Sequence, residues 1–206
     1  MSEQTLKLVA VSAGLSVPSS TRLLTDRLTE AVRGSLGEQN GGREPEVRVV
    51  ELRELAVPIA NHLVTGFPSA ALGEALDAVT EADGLIVVSP VFAASYSGLF
   101  KSFFDLVEVG ALAGKPVLIG ATGGTSRHSL VLEHAMRPLF AHLRALVVPT
   151  AVYAASEDWG GTGDALTDTL PDRIERAGRD LAEFMATASG RTAGKKTEPV
   201  PALPFA

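Results

Sequence analysis

The sequence predicts an α/β protein built on a doubly wound parallel sheet of five strands, in three layers, with the strand order 2-1-3-4-5. Short apolar runs alternate along the chain with segments whose apolar residues recur every three or four positions. The run 84–89 is apolar at successive positions, as in a central strand buried on both faces. Parallel strands joined by helices need right-handed crossovers, which place helices on both sides of the sheet.

Length and composition agree with one globular domain, expected to span residues 1–189 of the 206. Apolar residues make up 46% and charged residues 20%, which excludes a wholly disordered chain. The formal net charge of -6 gives no support for a broad nucleic-acid-binding face. Because the chain has no cysteine, it cannot form disulfides, thiolate metal sites or a cysteine nucleophile. Any redox chemistry must therefore come from a bound cofactor.

The sequence carries no sign of export or of membrane insertion. Residues 1–5 are polar and include an acid, so they lack the basic start and apolar run of a secretory signal. No apolar run approaches the roughly 18 residues that a membrane-spanning helix requires. We therefore expect a soluble cytoplasmic protein that does not bind membranes.

Three strands and two helices are predicted in the first half of the chain. Residues 6–11 form an apolar run with one lysine, which predicts a buried strand. From Ser20, apolar residues recur every four positions as far as Leu36, which predicts a helix that stops near Gly37 and a loop over 40–42. The remaining predictions for this half are a strand over 47–52, a helix over 72–82 and a strand over 84–89.

The second half is predicted to add two strands and three helices. A helix over 97–109 carries more apolar side chains than one sheet face usually covers, which predicts a homodimer or homotetramer. A strand over 117–122, a helix over 130–143 and a strand over 146–153 follow. The last helix repeats apolar residues from Leu166 to Ala188 and tolerates Pro171 if it begins near Thr169. Residues 190–206 lack periodicity and are expected to form a mobile tail.

In doubly wound sheets, ligands bind outside the carboxyl ends of the strands, where the strand order reverses. This rule selects the loops 12–22, 89–98 and 122–128. The first loop places Ser19, Ser20 and Thr21 where a helix begins, and hydroxyls with free helix amides can bind a phosphate. Arg22 can add charge or point to solvent. The alternative is that these residues only cap the helix.

The other two loops have features of a site for a flat ring. Phe92 and Tyr96 lie where a ring can stack against them, and the alternative, which these two residues favour when taken alone, is packing of the loop itself. The pair Gly123-Gly124 permits close approach of the backbone to a ligand, and an ordinary turn is the alternative. No GxGxxG motif and no P-loop occurs in the first loop.

Four segments together carry a resemblance to a known family. They are residues 89–102, 114–116, 121–125 and 135–139. They resemble the NADPH-dependent FMN reductases of the flavodoxin-like superfamily, above all the reductase components of two-component alkanesulfonate monooxygenases and of luciferase-like monooxygenase systems. The resemblance covers about residues 6–155. It implies a flavodoxin-like fold, FMN and NADPH or NADH as cofactors, homo-oligomerisation and possible delivery of reduced flavin to a luciferase-like monooxygenase.

The resemblance also implies roles for individual residues. The candidates for the FMN phosphate are Ser12, Ser19, Ser20, Thr21 and Arg22. The candidates flanking the flavin ring are Pro90, Val91, Phe92, Ser95, Tyr96, Ser97 and Gly98. The candidates at the other ring edge are Thr122, Gly123, Gly124 and Thr125, and those for the nicotinamide nucleotide are Arg127 and His128.

The chain departs from the family pattern in two places. Its first loop reads Ser12-Ala13 where the family often has Gly-Ser, and no arginine lies between Gly14 and Thr21. His134 stands where the alkanesulfonate reductases have a tyrosine in a bulged helix at a subunit interface. His134 is thus a candidate for tuning flavin retention or assembly, with a purely structural role as the alternative.

Three functions remain open at this point. The first is an NAD(P)H-dependent FMN reductase that hands reduced flavin to a monooxygenase, with no catalytic side chain because hydride passes between bound cofactors. The second is a quinone, azo-dye or metal-ion reductase that keeps its FMN. The third is an electron carrier without enzymatic activity. No G-x-S-x-G motif supports a hydrolase, and the four histidines have no metal-ligand spacing.

Overall fold

A computed structural model describes residues 5–39, 44–160 and 169–192 of the chain. Strands and helices alternate along these ranges. The strands are β1 Lys7–Ser12, β2 Glu46–Glu51, β3 Gly84–Phe92, β4 Ser95–Tyr96, β5 Pro116–Gly123, β6 Leu146–Val147 and β7 Val152–Ala155. The α-helices are α1 Ser20–Gln39, α2 Ala56–Thr65, α3 Ala70–Glu81, α4 Gly98–Phe104, α5 Arg137–His142 and α6 Leu170–Thr192.

The strands form one sheet with the order β2-β1-β3-β5-β6. Its neighbours along this path are parallel, in a register that aligns Ala10 with Ile86 and Ile86 with Leu118. β7 pairs in parallel with the carboxyl end of β5, and β4 pairs antiparallel with the end of β3. The predicted doubly wound sheet and its order 2-1-3-4-5 are confirmed, with β6 and β7 together in the fifth position.

Alternate residues of each central strand enter two separate cores, which makes the three layers. In β3, Ile86 and Val88 pack with α1 and α6, whereas Leu85 and Val87 pack with the helices of the opposite face. This period of two is the geometry of any strand. All four of these side chains are fully buried, as the apolar run 84–89 predicted.

The predicted fifth strand is interrupted. β6 ends at Val147 and β7 begins only at Val152. Pro149 lies between them, and a proline has no N–H group to donate to a sheet ladder. The prediction of one continuous strand over 146–153 was therefore wrong, because it overlooked this residue.

The first helix is longer than predicted. α1 continues through Gly37 to Gln39, so the predicted stop at Gly37 was wrong. A glycine in a helix costs only about 1 kcal/mol relative to alanine. The packing of Leu28, Val32 and Leu36 in the core outweighs that cost. The predicted loop over 40–42 lies outside the described residues.

The predicted helix over 97–109 ends early, at Phe104. Its aromatic residues pack within the subunit, where the ring centroids of Phe104 and Phe140 are 4.9 Å apart and those of Phe100 and Phe104 are 4.7 Å apart. Phe103 and Val107 are also buried. The apolar stripe of this segment therefore does not need a second subunit to cover it.

The predicted helix over 130–143 is divided in two. Residues Leu132–Met136 form a π-helix, in which the N–H of Arg137 bonds to the carbonyl of Leu132, five residues earlier. α5 follows directly, with Pro138 in its first turn. His134 lies in the π-helical segment with its side chain exposed. A π-helical turn widens a helix by one residue and is frequent at functional sites.

The ends of the described chain refine the predictions. α6 begins at Leu170 with Pro171 in its first turn, as expected. Thr169 and Asp172 cap this turn reciprocally, because the N–H of each bonds to the side-chain oxygen of the other. The helix includes the first residues of the predicted tail and ends at Thr192, while residues 193–206 lie outside the described part.

One α-helix was not predicted at all, namely α2, whose first turn contains Pro58.

In the described ranges, no single helix has both the length and the hydropathy to cross a membrane. One pair of helical segments, Leu52–Thr65 and Ala70–Glu81, passes that test by length and composition, but it is bent by 92°.

Candidate functional site

The three predicted loops meet at one edge of the sheet. They follow β1, β3 and β5, which are neighbours and run in the same direction. A buried hydrogen bond of 2.8 Å joins the hydroxyl of Thr21 to the hydroxyl of Thr122. This bond connects the start of α1 directly to the end of β5, so the first and third loops form one continuous surface.

Ser12 ends β1 with a buried hydroxyl that has no hydrogen-bond partner among the described residues. By strand alternation its side chain lies on the same face as Leu8 and Ala10, which is the face that α1 covers. A buried hydroxyl without a partner is costly and therefore uncommon. A ligand bound at this edge of the sheet would satisfy the hydroxyl by donating or accepting a hydrogen bond.

The chain between β1 and α1 folds tightly around Gly14. A Cβ atom at this position would lie 2.1 Å from the Oγ of Ser19 and 3.1 Å from the Cβ of Thr21, so only glycine fits. Ser19 in turn caps α1, because its Oγ accepts a hydrogen bond of 3.2 Å from the N–H of Arg22. The backbone N–H groups of the first turn of α1, a helix of 20 residues, are thus gathered at the end of β1.

The side chain of Arg22 is engaged by two carboxylates. Its Nε donates to Asp26 at 2.7 Å, and its Nη1 contacts Glu51. The hydrogen bond to Asp26, followed by the charges of both carboxylates, raises the pKa of Arg22. Among the predicted phosphate ligands, Thr21 also has its hydroxyl engaged elsewhere, whereas Ser20 is exposed at the first position of the helix.

The second loop is a tight antiparallel hairpin formed by the end of β3 and by β4. Ala93 and Ala94 make its turn with φ angles of 47° and 65°. Such left-handed angles favour glycine, and they are the angles that a two-residue hairpin turn needs. The Oγ of Ser89 accepts a hydrogen bond of 2.9 Å from the N–H of Ser97 and so closes the base of the hairpin.

The predicted ring-binding residues of the hairpin differ in exposure. Phe92 is 49% exposed at the tip. Tyr96 is half-buried, and its ring packs on that of Phe100 with centroids 5.7 Å apart. Ser97 is buried and caps α4, since its Oγ accepts a hydrogen bond from the N–H of Phe100. Among the remaining positions, Pro90 is buried, Val91 and Ser95 are half-buried, and Gly98 is exposed.

The third loop presents mostly backbone and positive charge. Gly124 is exposed, and a Cβ atom there would contact no described residue within 4 Å. Thr125 caps a short 3-10 helix, Ser126–His128, by accepting a hydrogen bond from the N–H of Arg127. Arg127 and His128 are exposed, and in the described structure no ion pair occupies the guanidinium of Arg127.

Two residues that shape the site were not among the sequence-predicted candidates. Ser89 fixes the hairpin from below, and Tyr153 donates a hydrogen bond of 2.8 Å to the carbonyl of Thr125. Tyr153 comes from β7, far from the third loop in sequence. The signal available in the sequence was a tyrosine at the end of the predicted strand 146–153. In the predicted strand order this strand lies next to the one that leads into the Gly-Gly pair.

The residues at this edge are suited to a flavin mononucleotide. The hydroxyl of Ser12, which has no partner in the described ranges, and the start of α1 can bind a phosphate, which a helix N-terminus attracts. The exposed face of Phe92 and the open space at Gly124 leave room for a flat ring. Within the described ranges, no group of three or more His, Asp or Glu side chains could hold a metal ion.

The doubly wound parallel sheet, with three loops meeting at the carboxyl edge of its strands, defines a protein of the flavodoxin-like class. The family model for NADPH-dependent FMN reductase matches residues 6–160 of the chain. The chain belongs to that family. It is an oxidoreductase that uses FMN together with NADPH or NADH.

Relatives and solved structures agree with this assignment. The chain is 43% identical to "FMN reductase (NADPH)" of Pseudomonas aeruginosa over 89% of this chain and 94% of that protein. It is 38% identical to "NADH-dependent FMN reductase SfnF" of Pseudomonas fluorescens, over 88% and 93% of the two chains. An oxidoreductase from Corynebacterium diphtheriae superposes with a TM-score of 0.84 at 43% identity, over 90% of this chain and 99% of that one. The apo form of the NADH:FMN oxidoreductase EMOB gives 0.70 at 27%, over 89% and 90%.

Proposed function

We propose that this chain transfers hydride from NADPH or NADH to FMN at the carboxyl edge of its sheet and releases the reduced flavin to a separate flavin-dependent monooxygenase. The observation that carries the proposal is the convergence of the three loops, tied together by the bond between Thr21 and Thr122. Membership of the FMN reductase family supports the redox step.

Each loop has a separate task in this proposal. The first turn of α1 binds the phosphate through its N–H groups, together with the hydroxyls of Ser12, Ser19 and Ser20. Arg22 contributes through its ion pairs with Asp26 and Glu51, which hold the helix start against β2.

The second and third loops bind the ring of the flavin. The hairpin flanks it with Phe92, and the loop Gly123-Gly124-Thr125 meets its other edge with backbone groups. Bound FMN supplies the two-electron chemistry, so the protein needs no nucleophilic side chain. Arg127 and His128, both exposed in the third loop, are assigned to the phosphates of the nicotinamide nucleotide in this proposal.

The openness of the site supports release of the product. Leu15 and Val17 of the first loop, Phe92 of the second and Leu130 just after the third are between 49% and 76% exposed. Apolar side chains exposed around a cleft are typical of a surface that a ligand or partner covers. FMN is therefore proposed to be exchanged in each catalytic cycle, and a cytoplasmic location stays a prediction.

The test is the oxidation of NADPH and NADH by the purified protein, followed by absorbance, with and without added FMN. We expect steady oxidation that depends on the FMN concentration, and little flavin absorbance in the protein as purified. Steady turnover of a quinone by protein that retains its FMN would instead favour the quinone reductase alternative. An absence of nucleotide oxidation in the presence of FMN would contradict both.

A further inference from the structure

Tyr153 lies beneath the loop that follows β5 and supports its backbone. It is the second residue of β7, aligned with Ala121 of β5, and only 5% of it is exposed. Its hydroxyl extends along the sheet edge and donates to the carbonyl of Thr125 at 2.8 Å. The rest of the ring packs in the core on the face opposite α1.

The backbone of this loop passes very close to the phenol hydroxyl of Tyr153. A Cβ atom at Gly123 would lie 2.1 Å from the hydroxyl oxygen of Tyr153 and 3.1 Å from the ring carbon that carries it. The φ of Gly123 is not in the left-handed region, so the backbone itself would accept alanine. The hydroxyl of Tyr153 is thus the reason that this position requires glycine. At Gly124, by contrast, no atom of the described part of the chain lies within 4 Å of an added Cβ.

Tyr153 is itself held from the other side by helix α6. The guanidinium of Arg173 donates to the carbonyl of Tyr153 and to Asp158, both at 2.6 Å. Asp158 also accepts a hydrogen bond of 2.7 Å from the N–H of Ala155, the last residue of β7. The backbone of Tyr153 is therefore held in place, so its hydroxyl donates to the loop from a constant position.

The phenol remains protonated in neutral solution and so stays a hydrogen-bond donor. Burial, followed by the negative charges of Asp158 and Glu157, raises the pKa of Tyr153. Only the protonated hydroxyl can donate to a carbonyl oxygen.

We propose that Tyr153 is a positioning residue for flavin binding, which sets the orientation of the peptide between Thr125 and Ser126 through its hydrogen bond. In a trans peptide the C=O and N–H groups point in opposite directions. With the Thr125 carbonyl bound to the phenol, the N–H of Ser126 is directed away from it. The inference rests on the proposed function, because the loop is positioned for the FMN that the function requires.

The first test replaces Tyr153 with phenylalanine, which removes only the hydroxyl. We expect faster amide hydrogen exchange over residues 123–128 in the flavin-free protein and an FMN dissociation constant raised about three- to tenfold, the range of one hydrogen bond. The KM for FMN should rise by a similar factor, while kcat changes by less than about twofold. The matched control is Thr187→Val, which removes an exposed hydroxyl bonded to the carbonyl of Glu183.

The second test is a double-mutant cycle between Gly123 and Tyr153. Gly123→Ala alone should weaken FMN binding more than Tyr153→Phe, because the new methyl group collides with the hydroxyl. In the double variant the hydroxyl is absent, so we expect part of the lost affinity to return. If the two substitutions lower FMN affinity additively, the two residues do not interact and the proposed contact is contradicted.

The outcomes separate this inference from the proposed function. If the wild-type protein neither binds FMN nor oxidises NAD(P)H in its presence, the proposed function fails. If the wild type does both, and Tyr153→Phe matches Thr187→Val in loop exchange and in FMN affinity, the positioning role is wrong. A Tyr153→Phe protein that loses thermal stability without any change in the exchange of residues 123–128 would also overturn it.

Discussion

Burial and partners, more than residue type, decide what each polar side chain at the sheet edge can do. Ser12 and Arg22 both belong to the predicted phosphate group. The hydroxyl of Ser12 is buried without a partner among the described residues, whereas Arg22 is bonded to Asp26 and Glu51. A ligand that bonds to Ser12 removes a free-energy cost, but a ligand that bonds to Arg22 must compete with two carboxylates.

Ser12→Ala should therefore affect the free and the bound protein differently. Removing an unpaired buried hydroxyl should leave the free energy of unfolding of the flavin-free protein unchanged or raise it by up to about 1 kcal/mol. The FMN dissociation constant should rise about three- to tenfold, because a donor to the phosphate is lost. Fluorescence titration with FMN and urea unfolding measure the two effects, with Ser35→Ala on α1 as the control. Unaltered FMN affinity would remove Ser12 from the site.

Arg127→Gln tests the nucleotide end of the site. Arg127 is exposed beside the Gly-Gly loop, so we expect the KM for NADPH to rise about three- to tenfold with little change in FMN affinity. Arg33→Gln is the matched control, since Arg33 pairs with Glu30 and Glu44 on the outer side of α1. An equal response of the two variants in steady-state kinetics would show that Arg127 does not bind the nucleotide.

At the scale of elements, α1 and α6 pack so closely that a single methyl group matters. A Cβ atom at Gly178 of α6 would lie 2.7 Å from the Cβ of Ala31 and 2.9 Å from its backbone carbonyl carbon. Backbone atoms cannot move aside as a flexible side chain can. Gly34 of α1 is also inside a helix, but a Cβ atom there would lie more than 4 Å from the other residues that the structure describes.

The same substitution should therefore have opposite effects at these two glycines. Gly178→Ala should lower the free energy of unfolding by about 1–3 kcal/mol through overpacking, despite the better helix propensity of alanine. Gly34→Ala should raise it by about 1 kcal/mol. Urea unfolding of both variants measures the difference. A stabilised Gly178→Ala protein would show that α1 and α6 are not in the contact described.

At the scale of the whole molecule, a second group of exposed apolar side chains, separate from those around the site, lies on α2 and the turn after it. Val57, Leu63, Val64 and Phe67 are between 51% and 87% exposed. Apolar patches of this kind often mark an interface between subunits. The predicted homodimer or homotetramer thus has a better candidate surface here than on α4, whose aromatic residues pack inside the subunit.

Light scattering at micromolar concentration tests the assembly. We expect the wild type to have the mass of a dimer or tetramer and Val64→Asp to have a smaller mass, because Val64 is 87% exposed and its replacement does not disturb the core. Leu23→Asn, on α1 and so on the opposite face of the sheet, should leave the mass unchanged. A monomeric wild type would contradict the oligomer.

The sequence was sufficient for the strand order and for the three loops that the structure brings to one edge of the sheet. Strands such as 84–89 are buried on both faces, and this burial alone produces continuous apolar runs in the sequence. The rule that loops follow the carboxyl ends of parallel strands then selected all three loops. The sequence was less informative at Pro149 and Gly37, where one local signal was overlooked and another was outweighed by packing.

What the sequence alone determined is the class of fold, the family and the three loops, because these depend on local periodicity and on contiguous motifs. Only the tertiary structure decided which polar groups are free and which are engaged. The bond between Thr21 and Thr122, the pairing of Arg22 with Glu51 and the support of Thr125 by Tyr153 join residues that lie 101, 29 and 28 positions apart. No local pattern encodes such contacts, since they arise only when the crossovers bring distant strand ends to one edge.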